Sequence, residues 1–253
     1  MIQIVNAQQG SSEWLEARMG RITGSRLAAV LDRTKKGEEG AKRRDLKMEL
    51  ACEILTGTPA EPGFISNEMR WGSDNEPLGR AAAETARGYM VDEVGFILHP
   101  TNPRFGVSPD GLINPVGTVE GIDAIEGCLE VKCPKTATHI GYLLAGVIPD
   151  AYEPQMMWEM ACTGARWCDF VSFDPRCPEH LQVFIKRLER DNARIAELER
   201  EALAFLSEVD ALIARLPKAP QPVVIKDPNP DEKLRHTAEE IEELAAFYMR
   251  NPA

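Results

Sequence analysis

Apolar and polar positions follow two rhythms along the 253 residues. Up to about residue 88 the apolar spacing is helical. Residues 11–18 (Ser-Ser-Glu-Trp-Leu-Glu-Ala-Arg) predict a short helix with a serine cap. A glycine-punctuated turn over 19–25 opens a second helix at 26–31, and a charged loop over 32–45 leads into a third at about 42–56. After the Pro/Gly-rich 59–63, a long helix is expected over about 66–87. From Tyr89 the period shifts toward two, predicting strands at 89–98, 104–113, 127–133, 166–173 and 181–187. The polar 114–126 connection reads as a surface turn. Asp150 is placed to cap a helix running to about Cys162, with Pro154 in its first turn. An amphipathic helix follows over 188–216, carrying Leu188, Ile195, Leu198, Leu206, Val209 and Ile213. The expected organisation is one α/β (α+β) domain over 1–216, a semi-rigid proline-rich linker over 217–231 and a helical tail over 232–253.

Two stretches break the apolar pattern with charge: 106–112 (Gly-Val-Ser-Pro-Asp-Gly-Leu) and 127–134 (Gly-Cys-Leu-Glu-Val-Lys-Cys-Pro). A strand alternates faces, so Glu130 and Lys132 share one side and Val131 takes the other. Buried charge is costly unless it is paired or bound to metal. Asp110, with Glu130 and Lys132 downstream, supplies two hard oxygen ligands and a cation. That set suits Mg²⁺-assisted phosphodiester hydrolysis.

Composition adds exclusions. With 43% hydrophobic and 27% charged residues the chain reads as an ordinary globular protein. No apolar run approaches the roughly 18–20 residues that span a bilayer, and the start Met-Ile-Gln-Ile-Val-Asn lacks a signal-peptide pattern, so a cytoplasmic location without membrane partners is expected. Cysteines 52, 128, 133, 162, 168 and 177 include no Cys-x-x-Cys and read as reduced and mostly buried. Their spacing does not match an iron–sulfur site. Histidines 99, 139, 180 and 236 are not spaced as paired metal ligands, which points away from zinc hydrolysis. No Walker-type loop or G-x-S-x-G elbow is present, so ATP is not expected as a cofactor. The net charge of −11 is unusual for a nucleic-acid partner, although a local basic patch is compatible with an acidic total. Arg33, Lys35 and Lys36 form one candidate patch; a merely solvated loop reads equally well.

Asp110 followed by Glu130-Val131-Lys132 resembles the D…(D/E)xK core of restriction-endonuclease-like nucleases. The surrounding segments are more specific. "SPDGL" at 108–112, "LEVKCP" at 129–134, "ARMGRITGSRL" at 17–27 and "RWGSDNE" at 70–76 resemble the phage lambda exonuclease, or YqaJ-like viral recombinase, family over about residues 8–188. The resemblance implies a restriction-endonuclease-like fold, a mixed central sheet flanked by helices. It implies that Asp110, Glu130 and the Val131 carbonyl hold Mg²⁺ (or Mn²⁺), with Glu76 close by and Lys132 acting electrostatically. It assigns Arg18, Ser25, Ser108 and Gln155 to the 5′-terminal phosphate, and Met69 to a wedge at the DNA end. By residue type alone Arg18 is an exposed arginine, Ser25 a cap, Met69 a core methionine, Glu76 a solvated helix residue and Gln155 a polar helix-face residue. Met157 stands where the family often has a second glutamine. The implied activity is 5′→3′ digestion of one strand of linear double-stranded DNA by a homotrimeric ring working with a single-strand-annealing protein. A metal-dependent restriction-type or structure-specific DNA endonuclease and a catalytically silent DNA-binding module are the alternatives on the same core.

Overall fold

The computed structural model describes residues 2–60, 66–114 and 125–217. Residues up to Arg215 form one compact unit. The expected tail and nearly all of the linker, 218–253, lie outside the described residues. In chain order the elements are β1 (Gln3–Val5), α1 (Ser12–Arg18), β2 (Ile22–Thr23), α2 (Gly24–Val30), α3 (Ala41–Thr56) and α4 (Asn67–Arg87). There follow β3 (Val91–Asp92), β4 (Phe96–Leu98), β5 (Phe105–Val107), β6 (Gly111–Ile113), β7 (Gly127–Lys132), α5 (Thr136–Ala145) and α6 (Glu153–Thr163). The last are β8 (Trp167–Phe173), β9 (Val183–Glu189) and α7 (Asn192–Ala214).

The strands form two mixed sheets. One runs β1-β4-β5-β2 and the other β3-β6-β7-β8-β9. In the second, β7 lies antiparallel to β6 and parallel to β8, with Glu130 opposite Phe170 and Lys132 opposite Ser172. Helix α6 fills the space behind this sheet, and every residue from Met156 to Thr163 is buried. Burial of that helix all round explains why it lacks a polar face. The other face of β7 receives α4. A Cβ added at Gly79 would sit 2.6 Å from Val131 Cγ1 and 3.3 Å from Phe173 Cβ, so glycine permits the close approach. Gly79→Val is therefore expected to destabilise the protein by about 2–3 kcal/mol through overpacking, read by denaturant unfolding.

Several expected boundaries are corrected. The 89–98 strand is two strands in different sheets, parting before Gly95, where a Cβ would lie 2.2 Å from the Val5 carbonyl oxygen. The 104–113 strand also divides between the sheets, at Ser108-Pro109-Asp110. Pro109 has no N–H to continue a ladder. Asp150 does not cap α6; its cap position is Tyr152, in helical geometry without a side-chain hydrogen bond, and Pro154 occupies the first turn as expected. The final helix starts at Asn192 because the Asp191 carboxylate accepts from the Ala193 and Arg194 N–H groups at 2.8 and 3.1 Å, which leaves Leu188 in β9. Strands β1 and β2 and helix α5 were not anticipated; β2 falls within the segment read as a turn. All six cysteines are free thiols, five buried and Cys52 exposed.

Candidate active site

The break between β5 and β6 puts Asp110 at the edge of β7. Its Oδ2 accepts from the Val131 N–H at 2.6 Å, and its own N–H donates to the Leu129 carbonyl at 3.1 Å. Glu130 is fully buried on the opposite face of β7 from Val131. Its Oε1 pairs with Lys132 Nζ, and its Oε2 accepts from Gln155 Nε2 at 2.7 Å. Among the described residues Oε1 has no hydrogen-bond partner beyond that ion pair. Glu76, on α4, is held by Arg80 at 2.5 Å.

Electrostatics reflect the crowding of acids. Burial, then the neighbouring Glu130 and Glu76, push Asp110 well above the usual carboxylate range against the pull of Lys132. Burial disfavours charge on Lys132, but Glu130 and Asp110 outweigh it and raise the ammonium above its ordinary value. Lys132 thus stays protonated at neutral pH. Among the described residues no three acid, imidazole or thiol groups converge as a preformed metal cage. The donor set is nevertheless all oxygen, the Asp110 and Glu130 carboxylates with Glu76 nearby, and it fits a hard divalent cation better than zinc.

A second cluster lies beside the first. Ser108, two residues before Asp110, accepts from Trp14 Nε1 at 2.8 Å. The Arg18 guanidinium lies 4.1 Å from the Trp14 ring centroid and donates to Ser25 Oγ at 3.1 Å and Thr23 Oγ1 at 3.4 Å. Burial, with Arg26 nearby, lowers Arg18 to about 10, which leaves it cationic. Gln155 spans both clusters: its amide nitrogen is on Glu130, while its Cγ would be 3.2 Å from a Cβ at Gly24. Arg18, Ser25 and Ser108 are thus brought together through Trp14, and Gln155 faces the acids. Met69, 58% exposed in the first turn of α4, is not the core methionine its type suggested. Met157 is buried in the core. A cavity of about 670 Å³ opens beside Asp110, lined also by Trp14, Glu76, Arg80 and Glu93.

Three neighbours escaped the sequence reading. Glu159 is fully buried against Glu130, and burial followed by that carboxylate raises it well above its ordinary value. Its signal was a lone acid within the apolar run 156–162. Arg80 ties Glu76 to Glu93 at 2.9 Å and to the Asp110 carbonyl at 3.3 Å. Only its i+4 spacing from Glu76 was visible beforehand. Trp14 gave no signal of its link to Ser108, which lies 94 residues away.

A mixed sheet flanked by helices, with Asp110, Glu130 and Lys132 gathered at a strand break, defines a nuclease of the restriction-endonuclease-like fold. The family model for the YqaJ-like viral recombinase domain matches residues 13–166, and the chain belongs to that family. The crystal structure of an alkaline exonuclease (LHK-Exo) from Laribacter hongkongensis is 44% identical, with a TM-score of 0.70, over 81% of this chain and 95% of that one. LHK-Exo in complex with dAMP aligns over the same shares at 43% identity and a TM-score of 0.70. A phage related exonuclease from Haemophilus somnus 129PT, 17% identical with a TM-score of 0.56 over 77% of this chain and 95% of that one, shares the fold. No functionally curated protein matches the sequence. No helix among the described residues is long and apolar enough to cross a membrane.

Proposed function

We propose that the protein is a Mg²⁺-dependent 5′→3′ exonuclease that degrades one strand of linear double-stranded DNA and leaves a 3′ single strand for recombination by single-strand annealing. The observation that carries this reading is the Ser108-Pro109-Asp110 elbow. It ties the Trp14–Arg18–Ser25 cluster to the acids within three residues. A site that needs only to cut within a duplex has no use for a cationic pocket at that distance. The dAMP bound to the LHK-Exo relative is the kind of product such an enzyme releases.

In this reading Asp110, Glu130 and the Val131 carbonyl hold the metal, and Glu76 assists from α4. Mg²⁺ (or Mn²⁺) would supply an acidified water and offset charge on the phosphate. Lys132, kept protonated by Glu130 and Asp110, would stabilise developing negative charge at the phosphate rather than remove a proton. Arg18 and the hydroxyls of Ser25 and Ser108, with Gln155, receive the 5′-terminal phosphate; charge-assisted donors suit a doubly charged end. Met69, exposed in the first turn of α4, serves in this reading as the wedge that parts the terminal base pair. A homotrimeric ring around the duplex, an annealing-protein partner, a cytoplasmic site of action and independence from ATP complete the proposal, as does the division at 216 and 231 into nuclease domain, linker and tail.

The test is nucleotide release with Mg²⁺ from linear duplex bearing a 5′ phosphate or a 5′ hydroxyl, with closed circular duplex alongside. Release from linear DNA only, faster from phosphorylated ends, is expected. Arg18→Ala should reduce the phosphate preference by about tenfold to a hundredfold. Cutting of the circle would favour an endonuclease, and binding without hydrolysis under any divalent metal would sink the enzymatic reading.

A further inference from the structure

We infer that Arg26 and Glu53 form a positioning pair that sets Arg18 for the terminal phosphate, an inference that rests on the end-binding reading above. Glu53, on α3, is only 3% exposed, yet its carboxylate meets donors from three segments. Oε2 accepts from the Gly20 N–H at 2.7 Å and from Arg26 Nη1 at 3.2 Å. Oε1 accepts from Arg26 Nη2 at 2.6 Å and from the Ala60 N–H at 3.3 Å. Arg26, from α2, completes the arrangement. It donates to the Arg21 carbonyl at 2.9 Å and the Arg18 carbonyl at 3.3 Å, and pairs with Glu49 at 2.5 Å.

These bonds converge on one short piece of backbone. The turn over 18–21 ends α1 and leads into β2, and Gly20 adopts φ +66°, a region suited to glycine. Ile54 fills the space beneath it, 3.2 Å from where a Cβ at Gly20 would be. The turn carries Arg18, whose guanidinium reaches Ser25 and stacks on Trp14. Glu53 grips the middle of the turn and Arg26 grips both sides of it, so the pair fixes the point from which Arg18 projects.

A buried ion pair adds little net stability over an apolar replacement, because desolvating both charges offsets their attraction. Neither Arg26 nor Glu53 belongs to the acid cluster at β7. What the pair does provide is geometry, together with a charge balance. Arg26 is a like charge next to Arg18, and Glu53 and Glu49 counter it. Loss of the Glu53 charge would leave Arg26 countered by Glu49 alone beside the phosphate-binding arginine and would weaken the grip of α3 on the Gly20 turn.

The experiment compares kcat/KM on linear duplexes with 5′-phosphate and 5′-hydroxyl ends for the wild-type protein, Glu53→Gln and Arg26→Lys. Glutamine keeps an acceptor for the Gly20 N–H without the charge. Lysine keeps a charge but cannot span two carbonyls and two carboxylates. The expected result is a fall in the phosphate-to-hydroxyl ratio on the order of tenfold, arising mainly from a higher KM for phosphorylated ends. Should Glu53→Gln fail to fold by circular dichroism, Arg26→Lys at the less buried partner decides the matter. Equal losses on both substrates would mark a merely structural pair and overturn the inference. A wild-type preference that survives both substitutions would also overturn it, with the end-binding reading intact. A wild-type ratio near one would overturn that reading and the inference together.

Discussion

Asp110→Asn is expected to slow nucleotide release on the order of a thousandfold while raising the melting temperature by about a few degrees. The two effects share a cause. The fold disfavours charge on this carboxyl through burial and through Glu130 and Glu76. In the unfolded chain the same group ionises freely at neutral pH, so the native state is penalised relative to the unfolded one. Asparagine removes that penalty and keeps an oxygen for the Val131 N–H, now 2.6 Å from the carboxylate. It also removes a charged oxygen from the set that would hold the metal. Scanning calorimetry and a linear-duplex assay on the same preparation measure both effects. A variant that is inactive but no more stable than wild type would show that the acids are not under mutual strain.

Lys132→Met should also lose activity on the order of a thousandfold, but with the opposite effect on stability. Lys132 is the cation paired with the fully buried Glu130. Removing one partner of a buried pair leaves the other uncompensated, a loss of about 3 kcal/mol or more. The denaturant midpoint is therefore expected to fall, whereas that of Asp110→Asn rises. The contrast separates catalytic damage from misfolding, since both variants are inactive and their stabilities diverge. Equal stability in the two would contradict the charge arrangement described for β7.

The sequence carried the principal elements of this fold because their apolar periods were long and clean, as in α7 and β8. It misled where tertiary geometry cut an apolar run. Nothing in the alternation of 104–113 reveals that Val107 and Gly111 belong to different sheets; Pro109 is the one local sign, and its force depends on which strands flank it. Helix α5 was missed because Thr136, Thr138 and His139 weaken its propensity, while its stripe of Ile140 and Leu144 is exposed rather than buried. The acids and Lys132 were legible because charge inside an apolar strand is conspicuous on its own. Arg80, Glu159 and Trp14 were not, since each acquires its neighbours only when distant segments meet. The same holds for Glu53, whose bond to Gly20 crosses 33 positions of chain.

The distribution of thiols has a practical consequence. Cys128, Cys162 and Cys168 are buried, and burial raises each thiol above its ordinary range; it pushes Cys133 up to about 12. Reagents that attack thiolates will find these four slow to respond. Cys177 is buried as well, which leaves Cys52, on α3, as the one exposed sulfur of the six. The natural sequence thus comes with a single attachment point for a maleimide dye. One fluorophore per chain, with no cysteine removed, would let individual molecules be watched as they engage DNA.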